Sequence, residues 1–329
     1  MTGAGTARAM GATGESLAME DLQAIEWFGM RLRVPAEWEI TSHSVRPERG
    51  RLVFVDRRQE RLQLSWAAVR RPPDLAQAMA DYHRRDAERQ PDSTFRDFVV
   101  GRWAGFRSAS VRRTLTRAGL YDGPRRLWVE MAIAWPDGHR AELDRAILER
   151  FELRQPDAPT SRWRAFRMDV EVPREWTIQE VDAKPADVSL RFDSGRDRAI
   201  VRRTGMLEAW FDGNLESLIR QSLGAVATTC RQATHNGHPA VRSESRERGR
   251  ALVELFGRPR TRSNLAWVCP TARALYHVAC RFTARRPVDP AALTVRCCPP
   301  ATARRGEPGG GPTPPKQPLR LRRLEGETP

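Results

Sequence analysis

His235-Asn-Gly-His238 is the stretch of this 329-residue chain whose residue types come nearest to a metal-binding pattern. Zinc takes three or four nitrogen and sulfur ligands converging tetrahedrally. Two histidines flanking a turn supply two of them, with Cys230 just upstream and Cys269 or Cys280 to complete a set. The spacing matches no zinc signature and no Cys-x-x-Cys occurs, so the pattern reads as a turn with two exposed histidines. No metal is expected, and His235, His238 and Cys230 stand as weak candidates only. The five cysteines (Cys230, Cys269, Cys280, Cys297, Cys298) form an odd set confined to the second half, which favours reduced thiols over a disulfide framework. If residues 270–273 form a turn, Cys269 faces Ala274 and Cys280 faces Ser263. Those two sulfurs then share a face but lie too far apart to bridge. The adjacent Cys297 and Cys298 read as structural or incidental thiols.

Other chemistry finds less support. Neither Gly-x-Ser-x-Gly nor Ser-x-x-Lys is present, and the six histidines lack a nucleophile and acid arranged around them. Neither GxxxxGK[ST] nor GxGxxG occurs, and the Gly309–Gly311 run lies in a Pro-rich tail. Asp193 and Asp197 read as hairpin-turn residues. No catalytic residue, enzymatic activity or cofactor is expected.

The formal charge of +15 comes from 56 Lys+Arg against 41 Asp+Glu, and every basic residue except Lys184 and Lys316 is arginine. Arginine codons are GC-rich and lysine codons are not, so this ratio points to a high-GC bacterial genome before it points to a ligand. Arginine also draws a chain to phosphate, which makes a nucleic-acid-associated accessory protein with an arginine-rich surface the alternative function. Against that, acids interleave the arginines, as in Arg84-Arg-Asp-Ala-Glu-Arg89, a pattern of solvated faces with local ion pairs. No apolar run reaches the roughly 18–20 residues of a membrane span, and the first thirty residues lack the apolar core of a secretion signal. No membrane association and a cytoplasmic location are expected.

The elements that position these groups come from an internal duplication. Val34-Pro-Ala-Glu-Trp-Glu-Ile40 recurs as Val172-Pro-Arg-Glu-Trp-Thr-Ile178, and Phe28 and Met30 match Phe166 and Met168 at the same offset. Val34, Pro35, Trp38, Val172, Pro173 and Trp176 read as fold determinants, with proline ending a strand and the indole capping the core. In each half a strand pair follows, at 51–58 with 61–69 and at 188–192 with 198–205. Then comes a helix opened by an acid or amide, with Asp74 as N-cap in the first half and Asp212 or Asn214 in the second. The segments 101–113, 127–135 and 141–147 are matched with 235–248, 264–270 and 274–282, and each half ends in a short helix-like segment. The fold class expected is α+β: two tandem copies of a mainly antiparallel sheet with one main helix, between disordered termini. The boundaries expected are a disordered segment 1–26, a first repeat 27–154, a linker 155–162, a second repeat 163–298 and a disordered Pro/Gly/Arg-rich tail 299–329. The two repeats are expected to pack as a pseudo-dimer.

With the VPxxW turn after the first strand, the Gly-containing central strand and the closing hairpin and short helix, each repeat resembles the PsbP-like superfamily, including its DcrB-like and import-adaptor-like relatives. That resemblance implies a binding scaffold without a shared catalytic site. Trp128 and Trp267 are matched as core residues. Trp66, Trp103, Trp135 and Trp210 have no counterpart in the other repeat; core burial is the expectation for each taken singly, with one or more of them standing as candidate binding anchors. The function expected is a non-enzymatic adaptor or chaperone-like module that binds a protein or peptide.

Overall fold

Residues 30–35 alternate apolar and polar side chains at the strand period of two, whereas 22–27 break the alternation at the adjacent Ala24 and Ile25. In the computed structural model, which describes residues 22–111, 113–223, 229–247, 260–283, 290 and 293–298, they form the hairpin β1 (Leu22–Trp27) and β2 (Met30–Pro35). Phe28 (φ 49°) and Gly29 (φ 71°) make the two-residue turn; two left-handed residues give the twist a tight hairpin needs. The chain continues through β3 (Glu39–His43), β4 (Arg49–Val55), β5 (Glu60–Ala68), α1 (Leu75–Arg89), β6 (Thr94–Val100), β7 (Trp103–Ala109), β8 (Thr114–Asp122), β9 (Leu127–Trp135), α2 (Ala141–Glu149) and β10 (Glu152–Leu153).

The second half follows that order through its last long strand. It runs β11 (Thr160–Ala165), β12 (Met168–Pro173), β13 (Thr177–Lys184), β14 (Asp187–Ser194), β15 (Asp197–Thr204), α3 (Leu215–Leu223), β16 (Thr229–His235), β17 (His238–Glu247), β18 (Arg260–Cys269), β19 (Ala274–Thr283) and β20 (Thr294–Val295). Small irregularities repeat as well. Phe166 (φ 53°) and Arg167 (φ 60°) make the β11–β12 turn, and β3 and β13 carry bulges at Ile40/Ser42 and Ile178/Glu180. The amide of Trp38 donates to Pro35 O and that of Trp176 to Pro173 O, both at 3.0 Å, so both indoles turn back into the core. Asp74 Oδ1 accepts from the Gln77 amide at 3.0 Å and Asn214 Oδ1 from the Ser217 amide at 2.9 Å, the helix caps of the two halves.

Three antiparallel sheets result. The outer two run β3-β4-β5-β9-β8-β7-β6 and β13-β14-β15-β19-β18-β17-β16, one from each half. The third is shared, in the order β10-β2-β1-β11-β12-β20, with β1 against β11 at its middle. Trp27 and Trp163 meet edge to face across that junction at 5.1 Å between ring centroids, and Phe28 meets Trp163 at 4.9 Å. Met30, Leu32, Val34, Met168, Val170 and Val172 line its buried face. No described helix is long and apolar enough to cross a membrane.

Several boundaries differ from the sequence expectation. Residues 22–26, assigned to a disordered segment, belong to β1, and 160–162, assigned to the linker, open β11. Residues 22–26 pair with β2 and 160–162 with β12, each in a local hairpin, and β1 meets β11 at Glu26 and Arg164. The remainder of 1–26 and all of 299–329 lie outside the described residues. Thr114–Asp122 is a full strand whose Arg117 and Gly119 blur its alternation. It stands opposite β18, so β9 corresponds to β19, and residues 141–147 are helical. Trp128 and Trp267 therefore sit on non-equivalent strands.

Candidate functional site

Of the four tryptophans without a repeat counterpart, three are core residues. Trp66 donates from Nε1 to Arg46 O at 3.1 Å, Trp103 to Leu148 O at 3.0 Å and Trp135 to the buried Asp144 at 3.3 Å. Buried indoles need such partners for their one donor. Trp210 is different. It follows a short 3₁₀ turn, Leu207–Ala209, between β15 and α3, and is 44% exposed. Its Nε1 donates to Gly205 O at 2.9 Å and its ring meets Phe211 at 5.7 Å, so the indole is held in place with one face open. Met206, in the left-handed region at φ 53°, is 66% exposed four residues away. Around this apolar spot stand Glu208, which pairs with Arg273, and Asp212, which accepts from the Asn214 amide. The matching stretch of the first half is Arg70-Arg-Pro-Pro73, so the apolar spot belongs to the second repeat alone.

The metal-type residues are redistributed relative to the sequence reading. His235 and His238 close the β16–β17 hairpin around Asn236 (φ 51°) and Gly237 (φ 77°). His235 lies against Trp267 at 4.2 Å, and burial, with His238 adding, lowers its pKa. Cys230 pairs with Ser243 at the other end of β16, five residues or about 17 Å from the turn. There it packs against Ile219, Val241 and Ala266, and burial pushes its thiol up. Cys269 faces Ala274 and Cys280 faces Ser263, the register the sequence implied. The structure instead gathers His238, Cys269, Cys297 and Cys298, whose ligand atoms lie within 4.8 Å of one another. Three separate segments supply them, with gaps of 31 and 28 residues between His238, Cys269 and Cys297. No local motif announces that cluster.

Many arginines answer to carboxylates. Arg107 pairs with the fully buried Asp144 at 2.9 Å, Arg61 with Asp56 at 2.5 Å, Arg162 with Asp169 at 2.5 Å and Arg296 with Glu171 at 2.8 Å. In the shared sheet, burial raises the pKa of Glu26 although Arg154, Arg162 and Arg31 work against it. Glu171, hydrogen-bonded by Thr160 and Arg296, is held below the usual carboxylate range.

No protein-family model matches the chain, and no curated protein matches it. Among solved structures it is similar to a protein of Bacteroides thetaiotaomicron, at 13% identity and a TM-score of 0.26, over 41% of this chain and 49% of the other. The chain thus spans about half the length of that protein. It is also similar to the T6SS immunity protein TplEi of Pseudomonas aeruginosa, solved in complex with "L" peptide, at 10% identity and a TM-score of 0.32, over 82% of this chain and 89% of the other.

Proposed function

We propose that the chain is a duplicated binding scaffold, an adaptor or chaperone-like module, that engages a protein or peptide through the β15–α3 connection of its second repeat. The observation that carries this reading is the exposed, fixed indole of Trp210 beside exposed Met206. Interfaces concentrate their energy in a few aromatic and Met anchors within a polar rim, and Glu208, Asp212 and Arg273 provide such a rim here. The PsbP-like resemblance of each repeat agrees with a scaffold of this kind. Arginine pairing with acids through both halves weighs against a surface given over to phosphate.

The test compares wild type with the double variant Met206→Ser, Trp210→Ser. A stoichiometric protein partner that survives a high-salt wash is expected with wild type and lost with the variant, while the unfolding temperature stays within a few degrees because both side chains are exposed. Retention of the partner by the variant overturns the assignment of the site. Copurified nucleic acid that washes away in salt, with no protein partner, overturns the reading itself.

A further inference from the structure

At the end of the second repeat β20 has two residues, Thr294 and Val295, and pairs with β12. In the first repeat the corresponding end is held by α2. Trp103 Nε1 donates to Leu148 O at 3.0 Å, Arg107 and Trp135 bind buried Asp144, and Trp103 packs on Phe151 at 5.1 Å. Beside it Asp122 takes Arg102 at 3.1 Å and Arg125 at 3.0 Å. Asp122 and Cys269 occupy the same place: each ends a strand before a four-residue turn whose last residue, Arg126 (φ 50°) or Arg273 (φ 46°), is left-handed. Trp103 and His238 likewise each open the strand after a two-residue turn. Where the first repeat uses ions and an indole, the second has sulfur and imidazole.

We propose that His238, Cys269, Cys297 and Cys298 form a tetrahedral structural site for a zinc-class divalent ion, which staples the end of the second repeat to the β16–β17 and β18–β19 turns. Ligand bonds of about 2.0–2.3 Å from one centre place tetrahedral ligands about 3.8 Å apart. The four atoms, already within 4.8 Å of one another, need only small rotamer adjustments to reach that spacing. Three thiolates and an imidazole select a borderline-soft ion over calcium or magnesium. Four protein ligands complete the coordination, which makes the role structural.

The surroundings suit thiolates. The Ala272 amide donates to Cys269 Sγ at 3.3 Å and the Asn236 side-chain amide to Cys297 Sγ at 3.8 Å, the outer-shell donors that hold ligating sulfurs in place. The same Asn236 nitrogen donates to Val295 O at 2.5 Å, tying the hairpin turn to β20. Cys269 Sγ lies 3.7 Å from Cys297 O, a contact the protonated thiol donates and the ligating thiolate gives up. On binding, each thiol releases its proton to solvent while the neutral imidazole donates a lone pair, leaving a site of one net negative charge. Arg203, on β15, is buried beside Tyr276.

The experiment uses the full chain, reduced, stripped with a chelator and titrated anaerobically with cobalt(II), a spectroscopic stand-in for zinc. One equivalent is expected to give intense tetrahedral d–d bands and a thiolate charge-transfer band, both abolished by one equivalent of zinc. Cys269→Ser, Cys297→Ser and Cys298→Ser are each expected to lower the charge-transfer intensity by about one third, as three equivalent thiolate ligands require. His238→Ala is expected to shift the d–d bands, and Cys230→Ala to leave the spectrum unchanged. Variants that fail to fold leave the wild-type titration to decide. Substoichiometric or six-coordinate cobalt in wild type with five titratable thiols overturns the proposal, as does an intact mass showing a disulfide among Cys269, Cys297 and Cys298 in freshly isolated protein.

Discussion

His277 lies on β19 with Nε2 3.3 Å from Asn264 Oδ1, and burial, with Arg202 adding, lowers its pKa to about 4 from an ordinary 6.5. The unfolded chain therefore binds a proton that the native state refuses between about pH 6.5 and 4, and stability must fall as pH drops through that window. His43, desolvated by burial, and His235 act in the same direction, while buried Glu26, whose pKa is raised, acts against them. Replacing His277 with Gln keeps an amide to meet Asn264 and removes one titrating group. Denaturant titrations at several pH values are expected to show the slope of stability against pH reduced by up to about 1.4 kcal/mol per unit in that range. An unchanged slope would show that His277 protonates freely in the native state. None of this was legible in the sequence, because Arg202 and the rest of β15, which flank His277 on one side, come from a distant part of the chain.

At the scale of elements, β7 and β8 approach so closely that a Cβ built on Gly105 falls 2.1 Å from the backbone oxygen of Arg117 and 2.8 Å from Ala118 Cα. Backbone on both sides leaves no flexible group to move. Gly105→Ala is expected to destabilise the protein by about 1–3 kcal/mol or more, read as a lower denaturant midpoint with an unchanged slope. Gly101→Ala, which meets nothing within 4 Å but needs φ 57°, is expected to cost about 1 kcal/mol. Equal midpoints for the two variants would refute the close approach. Local elements were legible where residue type dictates backbone. The VPxEW turns, the two capped helices and the Cys269–Ala274 register all follow from short-range rules. The edge strands β6 and β16 were not, since Thr94–Val100 and Thr229–His235 lack a sustained apolar alternation and owe their form to a neighbour on one side. The His238–Cys269–Cys297–Cys298 grouping was hidden for a related reason: its members come together only through the order of strands in two sheets.

At the scale of the whole molecule, the shared sheet makes the two halves depend on one another. Trp163 of the second half packs on Trp27 and Phe28 of the first and on Phe192 of its own outer sheet. Trp163→Ala is expected to cost about 3–5 kcal/mol and to lower the stability of both halves together, with one cooperative thermal transition before and after. Two resolved calorimetric transitions in wild type would show that the β1–β11 junction does not couple them.

The antiparallel β1–β11 seam also bears on how the two halves can change. An interface between identical subunits presents every residue twice, so a substitution suited to one side is imposed on the other. Within a single chain that constraint is gone. Asp122 with its arginines can stand where the other half has Cys269, and Arg70-Arg-Pro-Pro73 can stand where the other half exposes Met206 and Trp210. The seam thus leaves each half free to specialise while holding both in one fold.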